Sequence, residues 1–179
     1  MNIKVDPTEF AGKRVLVSGG TKGLGRATVE RFLAGGARVI TAARAIKDPI
    51  KGVEYVQADL TTPEGSEALA KAAIELLGGI DILAHVVGGS ASPAGGFAAL
   101  TDEHWLAELN LNLLATVRLD RLLIPQMRER GEGTVVHEPP RVYRRVKHSK
   151  DEPYVKAEIH PRLSGRASRT RCSTFPREP

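Results

Sequence analysis

Between the apolar run Val15-Leu16-Val17 and a helix-like stretch beginning near Leu24 stands Ser18-Gly19-Gly20-Thr21-Lys22-Gly23-Leu24-Gly25. Glycines at such a junction let the main chain press close to a ligand. The helix start that follows offers unpaired N–H groups and the positive end of a dipole. A strand, a glycine turn and a helix in that order suit the diphosphate of a dinucleotide. The glycines fall as G-x-x-x-G-x-G rather than the commoner G-x-G-x-x-G, so the turn alone leaves a second reading open, that of a glycine-rich surface turn.

The same alternation continues along the chain. After the first strand, Val29, Phe32 and Leu33 recur at helical spacing until Gly35-Gly36,. Residues 39–42 and 55–57 carry the β-branched and aromatic content of buried strands,. Thr62-Pro63 reads as a cap and a first-turn proline, with Leu69, Ala72, Ala73 and Leu76 as one apolar stripe before Gly78-Gly79,. A fourth strand is expected over 80–87. A long helix follows from Thr101-Asp102-Glu103 to about Arg130, carrying Trp105, Leu109, Leu113 and Val117 and kinked by Pro125,. Gly131-Glu132-Gly133 is then a turn and residues 134–136 a fifth strand,. Strand and helix in alternation imply an α/β fold of the Rossmann type: a doubly wound parallel sheet covered on both faces, here stopping after about five strands.

Charge divides the chain of 179 residues at His137. Residues 1–137 hold 15 Lys and Arg against 16 Asp and Glu, whereas 138–179 hold 11 against 5, with 6 of the 11 prolines and only 11 hydrophobic residues in 42. The first part is a neutral domain able to bury a core. The second is a basic tail too poor in apolar residues to complete that core, and it is expected to be poorly ordered. A tail of this kind can track phosphates as an arm. The neutral body offers no such surface, and nucleic acid is not the expected partner. Cys172 is the lone cysteine, which excludes an internal disulfide and fits a reducing cytoplasm,. No apolar run is long enough to cross a bilayer as a helix. No metal site is expected. His85 is read as a strand-end imidazole satisfied by backbone, because spacing puts no acid or nucleophile beside it.

Over residues 12–137 the chain resembles the short-chain dehydrogenase/reductase family. The resemblance rests on the glycine turn, on Asp59-Leu60 after the third strand, on Gly88 after the fourth, and on the spacing from Trp105 to Asn112 in the long helix. It implies a nicotinamide coenzyme with Gly19, Thr21, Lys22, Gly23, Leu24 and Gly25 around the diphosphate and Asp59-Leu60 at the adenine. It further implies that Asn112 supports a catalytic lysine through water, acting on a carbonyl or alcohol substrate. Relatives commonly pair through the helix at 102–130 and its successor, so a homo-oligomer through that helix is implied. Two departures stand out: Ser18 replaces the usual threonine, and His85-Val86-Val87-Gly88 stands where most members have Asn-Asn-Ala-Gly.

Coenzyme choice follows from charge, since a 2′-phosphate needs cations where a free ribose needs an acid. Lys22 lies in the turn, Arg44 lies beyond the second strand, and Ala43 stands where NAD-dependent relatives carry aspartate. This pattern favours NADP(H) over NAD(H), with a planar guanidinium suited to phosphate. The bland alternative is a pair of solvated surface cations.

The family's Ser-Tyr-Lys set is harder to find. Glu138-Pro139-Pro140 follows the fifth strand where its serine belongs, and the next serine is Ser149. Tyr143 and Lys147 satisfy Tyr-x-x-x-Lys, yet they lie close to the strand among Arg and Pro. Tyr154 lacks a lysine four residues on. The function expected is an NADP-dependent short-chain oxidoreductase, inactive in this form if the set is missing. The alternative is a non-catalytic dinucleotide binder or a misread product. With synonymous codons left free, displaced readings of 138–141 and 166–172 give family-like strings, so a frame slip near His137 accounts for the tail. The coding DNA tests that reading. A fifth strand left at an open edge would make the protein marginally stable and prone to aggregate.

Overall fold

The computed structural model describes residues 6–137. They form a five-stranded parallel sheet in the order β3-β2-β1-β4-β5, comprising β1 (Arg14–Ser18), β2 (Arg38–Ala43), β3 (Val53–Gln57), β4 (Ile82–His85) and β5 (Thr134–His137). The helices are α1 (Gly23–Ala34), α2 (Pro63–Leu77), α3 (Asp102–Leu109) and α4 (Ala115–Arg130). This is the doubly wound α/β arrangement anticipated from the alternation. Tyr143 and Lys147, and the tail at 138–179 with its supposed disorder, lie outside the described residues.

Side chains alternate across the central strands, so each strand serves two cores. Leu16, Ile40 and Leu83 face α2 and α4 and pack with Leu69, Ala73, Leu77, Leu119, Leu123 and Met127. Val15, Val17, Val39 and Ala84 face α1 and pack with Val29, Phe10 and Phe32. Thr62 caps α2 by accepting the Gly65 N–H at 3.0 Å, with Pro63 at the first position, and Gly78 ends the helix in the left-handed region at φ +77°,. No helix among the described residues is long and apolar enough to cross a membrane.

Three details depart from the sequence expectations. β4 covers four residues rather than 80–87. Before it, Asp81 turns to receive the Arg14 backbone N–H and Nε, each at 2.9 Å. After it, the Val86 N–H divides between the Ser18 carbonyl and Ser18 Oγ, each at 3.2 Å, and the Val87 N–H donates to Ser18 Oγ at 3.3 Å, where the pairing with β1 ends. The buried face of α2 runs through Ser66, Leu69, Ala70, Ala73 and Leu77, while Leu76 faces solvent. The helix expected over 102–130 is interrupted by a π turn at Asn110–Leu114 between α3 and α4, and Pro125 lies within α4. Trp105, Leu109, Leu113 and Val117 are 38–50% exposed, so this stripe lies on the surface.

Candidate active site

In a parallel sheet the strands' carboxyl ends share one edge, and a ligand crevice opens where chain connections diverge to opposite sides. Here that point lies between β1 and β4, since β1 is followed leftward by β2 and β3 while β4 and β5 lie on its other side. Ser18-Gly19-Gly20 leaves β1, Arg44 follows β2, Asp59 follows β3 and Gly88 follows β4. Residues far apart in sequence thus gather on one rim.

The turn after β1 is built tightly. Gly19 has φ +78°, and a Cβ on it would come within 2.9 Å of the Val87 backbone. A Cβ on Gly25 would lie 2.0 Å from the Gly19 carbonyl oxygen, so only glycine lets α1 begin directly against the turn,. Gly23, at φ +52°, has open space around its missing side chain. Lys22 is the N-cap of α1, extended and without a side-chain cap, and no acidic residue occupies the first turn. The first amides of α1 therefore face outward beside exposed Lys22 and Leu24 and half-buried Thr21. This end of the helix is electrostatically fitted to an anion.

Sequence reasoning passed over Gly20 and Thr41. The Gly20 N–H donates to Thr41 Oγ1 at 3.0 Å, and that hydroxyl donates to the Val17 carbonyl at 2.6 Å. A side chain on Gly20 would strike Thr41 Oγ1 and Val29. A threonine with no exposure in an otherwise apolar strand was the available signal,.

Around the rim, Asp59 Oδ1 accepts the Thr61 N–H at 3.0 Å and hydroxyl at 2.8 Å. These bonds, with the nearby Arg44 charge, hold its carboxyl below the usual range. Asn110 Nδ2 and Arg118 Nη1 donate to the Thr61 carbonyl at 2.7 and 3.3 Å, tying this loop to the π turn. Leu60 is buried in the α2–α4 core, so only its backbone can meet a ligand. Arg44 is exposed, and its carbonyl accepts from Gln57 Nε2 at 3.2 Å.

Asn112 sits in the π turn, a distortion that often marks functional positions,. Its Oδ1 accepts the Gly89 N–H and its Nδ2 donates to the Gly89 carbonyl, both at 2.9 Å. Nδ2 also reaches Glu108 Oε2 at 3.0 Å. Glu108 accepts the Ser90 and Ser92 hydroxyls at 2.7 and 2.8 Å and the Ala91 N–H at 3.1 Å. The two serines foremost keep its carboxyl below the ordinary range. Asn112 and Glu108, four residues apart on one helical face, thus clamp the segment following Gly88. Glu108 escaped the sequence reading, although its spacing to Asn112 was a usable sign.

His85 differs from its expected surroundings. It is buried, its Nε2 lies 2.9 Å from Asp120 Oδ1, and its Nδ1 lies 3.5 Å from Ser18 Oγ. An acid does accompany it, supplied by α4 from 35 residues away, a separation no local spacing reveals.

A family model for short chain dehydrogenases matches residues 13–137. L-fucose dehydrogenase of Bos taurus is 30% identical over 143 residues, covering 73% of this chain and 50% of its own length. Dehydrogenase/reductase SDR family member 4 of Homo sapiens is 31% identical over 138 residues, covering 71% and 49%. A crystal structure of a short-chain dehydrogenase from Streptomyces avermitilis superposes with a TM-score of 0.64 at 32% identity, over 70% of this chain and 48% of that one. The chain spans about half the length of the curated relatives it matches.

Proposed function

The chain belongs to the short-chain dehydrogenase family, and from that premise we propose that residues 1–137 are the coenzyme-binding domain of an NADP(H)-dependent oxidoreductase acting on a small carbonyl or alcohol substrate. The observation that carries the reading is the uncapped start of α1, backed onto Gly19 by Gly25 at the sheet's switch point. The diphosphate would lie on the amides of 19–25, and the adenine beside Asp59 and the backbone of Leu60. Arg44 and Lys22 would meet the 2′-phosphate, because each adds positive charge to the rim and Ala43 leaves no carboxylate there for a ribose diol. Gly88 would give the coenzyme close access to the chain leaving β4.

When bound, the nicotinamide supplies a hydride donor or acceptor. The protein's part is to fix the crevice. Ser18 gathers the Val86 and Val87 amides at the end of β4, and the Asn112–Glu108 clamp holds 89–92. In a complete active site Asn112 would support a lysine through water.

A second reading is favoured by Glu138-Pro139-Pro140, which occupies the position where the orienting serine belongs. On it the chain binds the coenzyme without turnover. Absence of a general acid alone lowers the rate by about 10² to 10⁴. NADPH oxidation that depends on an added aldehyde or ketone, from a broad panel, supports the enzyme. Saturable NADPH binding with no such oxidation supports the silent binder.

The stripe at Trp105, Leu109, Leu113 and Val117 fits a self-association surface, because its apolar side chains face solvent,. A cytoplasmic setting remains part of the proposal on the strength of the lone Cys172,.

A further inference from the structure

Strands β4 and β5 pair in parallel with His85 opposite His137, and their imidazoles stack with centroids 4.6 Å apart at 26°. Leu83 and Val135, two residues earlier on each strand, pack into the core that includes Leu119 and Leu123 of α4. The two histidines therefore point to the same helix. Asp120 meets them there, with Oδ1 2.9 Å from His85 Nε2 and Oδ2 3.4 Å from His137 Nε2. We propose that His85, Asp120 and His137 form a site for one divalent transition-metal ion of the Zn2+ class, which fastens the edge strand β5 to β4 and α4.

Ligand chemistry and spacing both support this. Two imidazoles and one carboxylate make a borderline set that suits Zn2+, whereas Ca2+ and Mg2+ prefer oxygen alone. Donors about 2.0–2.1 Å from a tetrahedral ion stand about 3.3 Å apart. His85 Nε2 lies 2.9 Å from one Asp120 carboxylate oxygen and His137 Nε2 3.4 Å from the other, and with one donor atom taken from each residue the three lie within 4.8 Å of one another. Small side-chain rotations bring them onto one centre. The outer nitrogen of His85 faces Ser18 Oγ at 3.5 Å, and that hydroxyl, held by the Val86 and Val87 amides, fixes the surroundings of the ring,. Ligation uses the Nε2 lone pair of neutral His85, so the bound imidazole carries its proton on Nδ1.

Access is graded across the cluster. The His85 side chain is 1% exposed, Asp120 22% and His137 54%, so the ion enters from the His137 side and keeps water as a fourth ligand,. The three ligands come from two strands and a helix, elements that hold geometry better than loops. None of the residues proposed for coenzyme contact takes part, so this inference stands or falls apart from that reading.

The test uses the tag-free chain of 179 residues, stripped with chelator and then titrated with Co2+. The expected result is one equivalent showing the visible bands of four-coordinate Co2+, displaced by Zn2+, with Zn2+ raising the melting temperature by several degrees. Other histidines and Cys172 occur in the sequence, so His137→Gln supplies the discrimination. It should fold, as judged by circular dichroism, and weaken affinity by about 100-fold or more. His137→Cys should recover binding and add a thiolate charge-transfer band. Folded protein with neither bands nor a thermal shift overturns the site, and so does binding that His137→Gln leaves unchanged.

Discussion

The carbonyl oxygen of Gly19 fills the space a side chain on Gly25 would need, since a Cβ there would lie 2.0 Å away. The contact joins a strand's exit to a helix's first turn with nothing between them. Its consequence is positional: the unpaired amides of α1 open directly over the carboxyl end of β1.

Gly25→Ala should therefore destabilise the fold by about 3 kcal/mol and abolish coenzyme binding, because backbone rather than a flexible side chain has to move. Gly23→Ala meets open space and carries only the left-handed strain of about 1 kcal/mol,. Urea denaturation and NADPH titration of both variants give the comparison. Equal effects at the two positions would contradict the packing argument.

Arg44→Ala should weaken NADPH by about 10- to 100-fold, the loss of a charge-assisted pair with phosphate, while leaving NADH nearly unchanged. Parallel calorimetric titrations measure the ratio. A common loss for both coenzymes would mean that Arg44 supports the fold rather than reading the 2′-phosphate.

How far the sequence carried depended on whether a signal was local. The glycine turn, the Thr62 cap and the alternating strands were readable because each is written in a few adjacent residues. The five-stranded parallel sheet agrees with that reading. Pairings across the fold were not readable: Asp120 reaches His85 from 35 residues away, and Thr41 reaches Gly20 from the next strand. The π turn was hidden because its apolar spacing resembles an uninterrupted helix. For Trp105, Leu109, Leu113 and Val117, helical periodicity identifies an apolar face without saying whether the chain's own core covers it.

Asp81 gives a pH signature. Hydrogen bonds from the Arg14 side chain outweigh burial and hold its carboxyl at about 2, down from 3.8. A depressed carboxylate stabilises the fold fully above its unfolded value, and that stability is lost as pH falls from about 4 toward 2. The wild-type chain should lose about 2 kcal/mol over this interval through Asp81, and Asp81→Asn should flatten that part of the profile while lowering the plateau at neutral pH. Urea midpoints across the range measure it. Identical acid limbs in the two proteins would rule the contribution out.

The surface stripe predicts self-association. Leu113, 50% exposed, and Leu109, 48% exposed, lie one helical turn apart. The double change Leu109→Glu and Leu113→Glu should shift the protein to monomer in sedimentation equilibrium without lowering its melting temperature. A wild-type chain that is monomeric at tens of micromolar would remove the proposal.

Among the described residues β5 is an edge strand with Val136 45% exposed, which should also make the protein marginally stable and prone to aggregate,. Light scattering during a thermal ramp checks this. A sharp, reversible transition without scattering is the opposing result.

The central claim is that the amides of 19–25 hold the diphosphate of a nicotinamide coenzyme. Fluorescence titration of the folded chain with NADPH measures this most directly, with NADH as the companion. The account predicts saturable one-to-one binding, tighter for NADPH; no saturable binding of either coenzyme to protein that circular dichroism shows to be folded would contradict it.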